Sequence, residues 1–182
     1  EIKDNKHVIF TFGQSLDADI KINSIKQNNQ SIDLVIQYKN QIYKSTIGMI
    51  GKFQAYNVIA AASICIGLGI DPDLILKSIS YLKPARGRME MISVTHNNSI
   101  IVIDYAHTPE ALGYLLNSIR EIAKGKIITL FGCGGDRDKE KRKTMGEIAN
   151  KFSDLVIVTD DNPRSESPTS IRKDILEGCP KA

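Results

Sequence analysis

Apolar and polar positions alternate through the first fifty residues, and then the alternation stops. His7-Val-Ile-Phe-Thr-Phe12 is a short β-prone run broken by Gly13. The stretch 19–25 alternates with Ile20 and Ile22 on one side, and Ile32, Leu34, Ile36 and Tyr38 share one side of the next run. Lys39-Asn40 suits a tight turn into Gln41-Ile-Tyr-Lys-Ser-Thr-Ile47. A period of two predicts strands with one apolar and one wet face, here an antiparallel meander with a structural role.

After Gly51 the period lengthens. The Ala- and Ile-rich stretch 55–68 predicts a buried helix stopped by Gly67 and Gly69. Asp71-Pro72 opens a second helix, with Asp as N-cap, Pro at the first helical position, Leu74, Ile75, Ile79 and Leu82 inward, and Pro84 as the stop. From Met89 the order becomes β-α-β-α-β-α. Strands are expected over 99–104, 126–131 and 155–158. A helix opened by Thr108-Pro109-Glu110 buries Leu112, Leu115, Leu116, Ile119 and Ile122. Further helices run from about 139 to 152 and onward from Ser167-Pro168. The expected class is α/β: a parallel sheet with helices on both faces, preceded by antiparallel strands and two helices. The domain boundary is expected between Pro84 and Met89, giving domains 1–88 and 89–182.

In such sheets ligands bind at the carboxyl ends of strands. Polar residues gather at those ends: Asp104 and His107, then Asp136 and Arg137, then Asp161 to Arg164. Phe131-Gly-Cys-Gly-Gly-Asp-Arg-Asp138 joins a strand to a helix. Its glycines would let backbone approach an anion at the helix N-terminus, or they serve a tight turn with solvated Asp and Arg. The string is neither a Gly-x-x-x-x-Gly-Lys phosphate loop nor a Gly-x-Gly-x-x-Gly dinucleotide turn. In Thr159-Asp-Asp-Asn-Pro-Arg164 the Arg offers a planar fork for a carboxylate or phosphate, and Asn-Pro pins the turn. Asp104 would suit ribose hydroxyls. His107 is either a ligand contact or a helix-start residue. His7 and His96 have no partner pattern and read as structural, as does Cys133, by small-residue packing. The run Lys139-Glu-Lys-Arg-Lys143 mixes signs and reads as a solvated helix face.

Charge narrows the classes. Lys and Arg number 24 against 21 Asp and Glu, a net +3, which argues against a nucleic-acid or polybasic membrane protein. A hydrophobic fraction of 42% is too high for disorder. Cys65, Cys133 and Cys179 are too few for a disulfide framework or a Cys-rich zinc site, so a reducing cytoplasm is expected. No apolar stretch approaches the roughly 20 residues that span a bilayer, and no signal peptide opens the chain. The chain starts at Glu1 rather than Met, and is expected to be part of a longer protein.

Five segments in order carry a family resemblance: Gly51-Lys-Phe-Gln-Ala-Tyr-Asn57, Gly87-Arg-Met-Glu90, Asp104-Tyr-Ala-His-Thr-Pro109, Gly132-Cys-Gly-Gly-Asp-Arg-Asp138 and Asp161-Asn-Pro-Arg164. Together they resemble the Mur ligases, over essentially the whole chain. The resemblance implies the second half of a central ATPase domain followed by most of a Rossmann-like C-terminal domain. The family's Gly-Lys-Thr phosphate loop would precede these residues and a Gly-Lys-Gly-His-Glu segment would follow them, so the chain alone is expected to be inactive. The implied reaction is ATP- and Mg2+-dependent amide formation, in which a substrate carboxylate becomes an acyl phosphate and an amine displaces phosphate.

The implied substrates are a UDP-N-acetylmuramoyl dipeptide and meso-diaminopimelate. By the same resemblance Asn57 contacts adenine, Arg88 the phosphates and Asp104 the ribose. Arg137 and the turn Asp161, Asn162, Pro163 and Arg164 hold diaminopimelate, no metal ligand is implied, and no catalytic residue is assigned, His107 being the one candidate. Gln54 stands where the family more often has Asn, and is left out of the site. Diaminopimelate is lysine with an added distal carboxylate, which a cation such as Arg164 would read. The alternatives are a lysine-adding relative, disfavoured by Arg164; a folylpolyglutamate-type relative, disfavoured by the Gly-Cys-Gly-Gly-Asp-Arg-Asp string; and a non-catalytic nucleotide- or amino-acid-binding module.

Overall fold

The structure, a computed structural model, describes residues 9–94 and 99–180. His7, Val8 and His96 fall outside the described residues. The chain forms two compact units, Glu1–Ile103 and Asp104–Ala182.

The first unit is a four-stranded sheet under two helices. Strands β1 (Phe12–Gly13), β2 (Ile20–Gln27), β3 (Ile32–Tyr38) and β4 (Gln41–Ile47) pair in that order. Pairs β2–β3 and β3–β4 are antiparallel, as the alternation predicts, but β1 runs parallel to β2. The expected side of β3 is the core: Ile32, Leu34 and Ile36 are all buried. A bulge between Ile22 and Ser24 inserts one residue into β2. That insertion brings Ile25 back to the core side, where strict alternation would have turned it outward.

Helix α1 (Phe53–Gly67) buries Ala55, Val58, Ile59, Ala62 and Ile66 on this sheet. Gly69 closes it at φ 87°, and the Ile70 amide reaches back to the Cys65 carbonyl. Helix α2 (Pro72–Ser78) opens as expected, with the Asp71 carboxylate accepting from the Asp73 amide at 3.2 Å. It is shorter than expected. A 3-10 turn takes over at Ile79–Tyr81, leaving Leu76 and Ile79 buried but Leu74 and Leu82 exposed.

Strand β5 (Glu90–Val94) escaped the sequence reading, and it changes the fate of its neighbour. Strand β6 (Ile100–Ile103) was expected to lead the parallel sheet; instead it pairs antiparallel with β5, Glu90 opposite Ile103. That pairing keeps β6 in the first compact unit.

In the second unit β7 (Ile128–Phe131) and β8 (Leu155–Val158) pair in parallel. Helices α3 (Pro109–Ile122), α4 (Glu140–Phe152) and α5 (Pro168–Leu176) surround one core with them, built on Leu112, Leu116, Ile127, Met145, Ala149, Val156, Ile171 and Ile175. Thr108 caps α3 through a bond from the Ala111 amide, whereas the Ser167 hydroxyl makes no cap bond on α5. The helices cover one face of the strand pair. Ile128, Leu130, Leu155 and Ile157 on the other are 42–64% exposed. No helix of the described residues is long and apolar enough to cross a membrane.

Candidate functional site

Because β7 and β8 are parallel, their carboxyl ends share an edge, and the loops that leave them meet there. The Gly135 amide donates to the Asn162 carbonyl at 2.9 Å. Arg164 Nη1 donates to the Gly135 carbonyl at 2.7 Å. The Asp136 carboxylate accepts from the Ser165 hydroxyl at 2.6 Å and its amide at 3.2 Å, which holds the carboxyl below its usual range. A Cβ on Gly135 would overlap the Pro163 carbonyl, and one on Gly132 would sit 2.5 Å from the Thr159 carbonyl. The glycines therefore admit the neighbouring loop.

Asp136 and Arg164 both adopt left-handed backbone, at φ 52° and 50°. For residues with a Cβ this costs about 1–2 kcal/mol each and persists only where surroundings impose it. Asn162 helps by accepting the Arg164 amide on Oδ1 at 3.3 Å. Arg137 and Asp161 project into solvent at the same edge. Among the described residues no hydrogen bond or ion pair holds the Arg137 guanidinium.

The run at the start of α4 is solvated at Lys139, Glu140 and Lys143, as expected, but not at Arg142. Arg142 is completely buried, and its fork grips Glu166 with Nη2–Oε1 at 2.9 Å and Nη1–Oε2 at 3.0 Å. Nη1 also reaches Asp174 at 2.9 Å. Sequence reading missed this because both carboxylates lie far along the chain, and mixed charges otherwise signal water. The Arg142 bonds, with the Asp136 amide, pull the Glu166 carboxyl down to about 2. Cys133 packs beside Met145 as expected, and burial pushes its thiol up.

At the start of the second unit, Asp104 Oδ1 accepts from the Ala106 amide at 2.8 Å, shaping the bend before α3. Lys141 reaches across to the His107 carbonyl at 2.7 Å, tying this bend to the first turn of α4. The His107 ring is exposed, lies tilted beside the Tyr105 ring at 5.1 Å and sits 3.1 Å from the Tyr105 carbonyl through Nδ1.

In the first unit Asn57 and Arg88 are both exposed, and one buried side chain joins them. Gln54 Nε2 donates to the Arg88 carbonyl at 3.0 Å, and Gln54 Oε1 accepts from Asn57 Nδ2 at 3.2 Å. Gln54 was set aside in the sequence reading. The available signal was a polar residue on the buried stripe of α1, one turn before Val58. Gly87 and Met89 flank Arg88 with φ of 65° and 49°, so its backbone is held in a tight bend. No group of three or more His, Cys, Asp or Glu among the described residues is arranged to hold a metal.

This geometry accords with comparisons to known proteins. The family description "Mur ligase, glutamate ligase domain" matches residues 87–182, and "Mur ligase middle domain" matches 1–65. The chain belongs to the Mur ligase family. Similar relatives include UDP-N-acetylmuramoyl-L-alanyl-D-glutamate--2,6-diaminopimelate ligases of Clostridium acetobutylicum, 39% identical over 97% of this chain and 37% of that protein, and of Aquifex aeolicus, 42% identical over 93% and 34%. A solved structure of such a ligase matches with TM-score 0.62 at 30% identity, covering 93% of this chain and 34% of that one. A Mycobacterium tuberculosis folylpolyglutamate synthase complexed with ADP shares the fold, with TM-score 0.67 at 20% identity over 91% and 37%. This Mur ligase chain thus spans about a third of the length of the curated relatives it matches.

Proposed function

We propose that these residues serve an ATP-dependent ligase that joins meso-diaminopimelate to UDP-N-acetylmuramoyl-L-alanyl-D-glutamate, in the reducing cytoplasm. The observation that carries the reading is the pair of loops at the β7–β8 edge, where Arg164 is anchored on Gly135 and Arg137 stands open to solvent. Two guanidiniums on one prebuilt edge suit an amino acid with two carboxylates. Relatives 39–42% identical to this chain carry diaminopimelate in their names.

In this reading residues 1–88 belong to the central domain and 89–182 to the C-terminal domain. Arg137, Asp161, Asn162, Pro163 and Arg164 receive diaminopimelate. Asn57, Arg88 and Asp104 receive the nucleotide: an amide for the base, a cation for phosphates and a carboxylate for ribose hydroxyls. Gln54 fixes the first two relative to each other. ATP, when bound, supplies the phosphoryl group that activates the substrate carboxylate. The described residues offer no carboxylate cluster for Mg2+, which is commonly held by one or two carboxylates plus the phosphates themselves, so no step is assigned to it.

The complete reading frame that encodes these residues should release phosphate only when ATP, the muramyl dipeptide nucleotide and diaminopimelate are all present. Release with lysine in place of diaminopimelate at equal efficiency would contradict the substrate. A protein that binds nucleotide yet never releases phosphate would contradict the activity.

A further inference from the structure

We propose that Arg142 and Glu166 are a positioning pair that sets the two site loops at the spacing diaminopimelate requires. The inference rests on the substrate assigned above. Glu166 belongs to the loop after β8, yet its Oε1 accepts the Asp136 amide of the loop after β7 at 2.7 Å. Arg142 holds both Glu166 oxygens, and its Nη2 lies 3.5 Å from the Gly134 carbonyl. One guanidinium thus braces both loops from beneath. Lys139 adds a contact to Glu166 at 3.3 Å from the exposed side.

Stability alone explains this arrangement poorly. A completely buried guanidinium is costly to desolvate, and well-packed apolar residues often replace buried ion pairs without loss. Arg142 also leaves its Nε buried with no partner among the described residues, a cost that tighter packing would have avoided. What the pair supplies is placement. Asp136 and Arg164, both in strained left-handed backbone, flank the points where the loops join, and each needs its surroundings to hold it there. The pair also neutralises Glu166, so that its charge does not repel a carboxylate arriving at Arg164 and Arg137.

Asp174 provides the control. It bonds the same Arg142 from α5 but bonds neither loop. In the complete enzyme, Glu166→Gln should raise the KM for diaminopimelate by ~10-fold or more, with the KM for ATP within about twofold. Arg142→Lys keeps the charge and loses the fork, and should give a smaller rise of about 3- to 10-fold. Asp174→Asn should lower Tm but leave the diaminopimelate KM within about twofold. A substrate-free reading comes from hydrogen exchange at the Asp136 and Ser165 amides, which should quicken ~10-fold in Glu166→Gln and not in Asp174→Asn. Equal effects of Glu166→Gln and Asp174→Asn, on KM or on exchange, would overturn the proposal. Should the wild-type enzyme not use diaminopimelate, the substrate assignment fails separately, and the exchange comparison alone decides whether the pair sets the loops.

Discussion

Arg164 and Gly135 are bound to each other across the site: Nη1 of the arginine donates to the glycine carbonyl at 2.7 Å, and a Cβ on the glycine would collide with Pro163. The arginine fork is thereby aimed before any ligand arrives, with its remaining N–H groups left to face one. Preorganisation of this kind lowers the entropy cost of binding.

Gly135→Ala should separate the two loops. The added methyl meets backbone rather than a flexible side chain, and such overpacking costs typically about 1–3 kcal/mol. Chemical denaturation of the variant should show that loss. Diaminopimelate turnover should fall further than stability alone explains. A variant as stable as wild type would show that the loops are not packed as described.

Gln54→Ala should weaken nucleotide use and spare diaminopimelate. It removes the two hydrogen bonds that join Asn57 to the Arg88 carbonyl, each worth about 0.5–1.5 kcal/mol net. The KM for ATP should therefore rise by about 5- to 150-fold. An unchanged ATP KM would separate Gln54 from the nucleotide.

Acid should loosen the second unit in a particular window. The Glu166 carboxyl sits at about 2, below its ordinary 4.5, so its contribution is complete above 4.5 and disappears as pH falls towards 2. Asp136 and Asp154, also lowered, push the same way. Denaturation midpoints should hold steady from neutrality to about pH 5 and then decline. Glu166→Gln should decline less steeply over that span. An identical slope in the variant would contradict the bonding of Glu166.

Much of this was legible in the sequence wherever the signal was local. The alternation of Ile32, Leu34 and Ile36 and the caps at Asp71 and Thr108 declare themselves within a few residues, and the structure has them as read. The meeting of the loops after β7 and β8 was legible too, because the alternation of strand and helix dictates where those loops emerge, whereas Asp104 and His107 follow a strand that pairs elsewhere. Features that depend on distant partners were not. The β5–β6 pairing kept a strand out of the parallel sheet, and no local pattern announces it. Arg142 reads as surface until its carboxylates, 24 and 32 residues away, are placed beside it. The glycines of 132–135 advertised close approach, and the loop after β8 makes it.

The central claim is that Arg164 reads the distal carboxylate of diaminopimelate, and the most direct test is the ratio of kcat/KM for diaminopimelate to that for lysine in the complete enzyme, wild type against Arg164→Ala. Arg164 is exposed in the free chain; truncating one side of a charge pair that bound substrate would bury costs about 2–5 kcal/mol, equivalent to about 30-fold to several thousand-fold. That loss should fall on diaminopimelate alone, since lysine brings no carboxylate to the position, and the KM for ATP should hardly move. The ratio should therefore collapse by at least ~30-fold. A ratio unchanged within about threefold would show that Arg164 does not recognise that carboxylate, and the assignment of the substrate would fall with it.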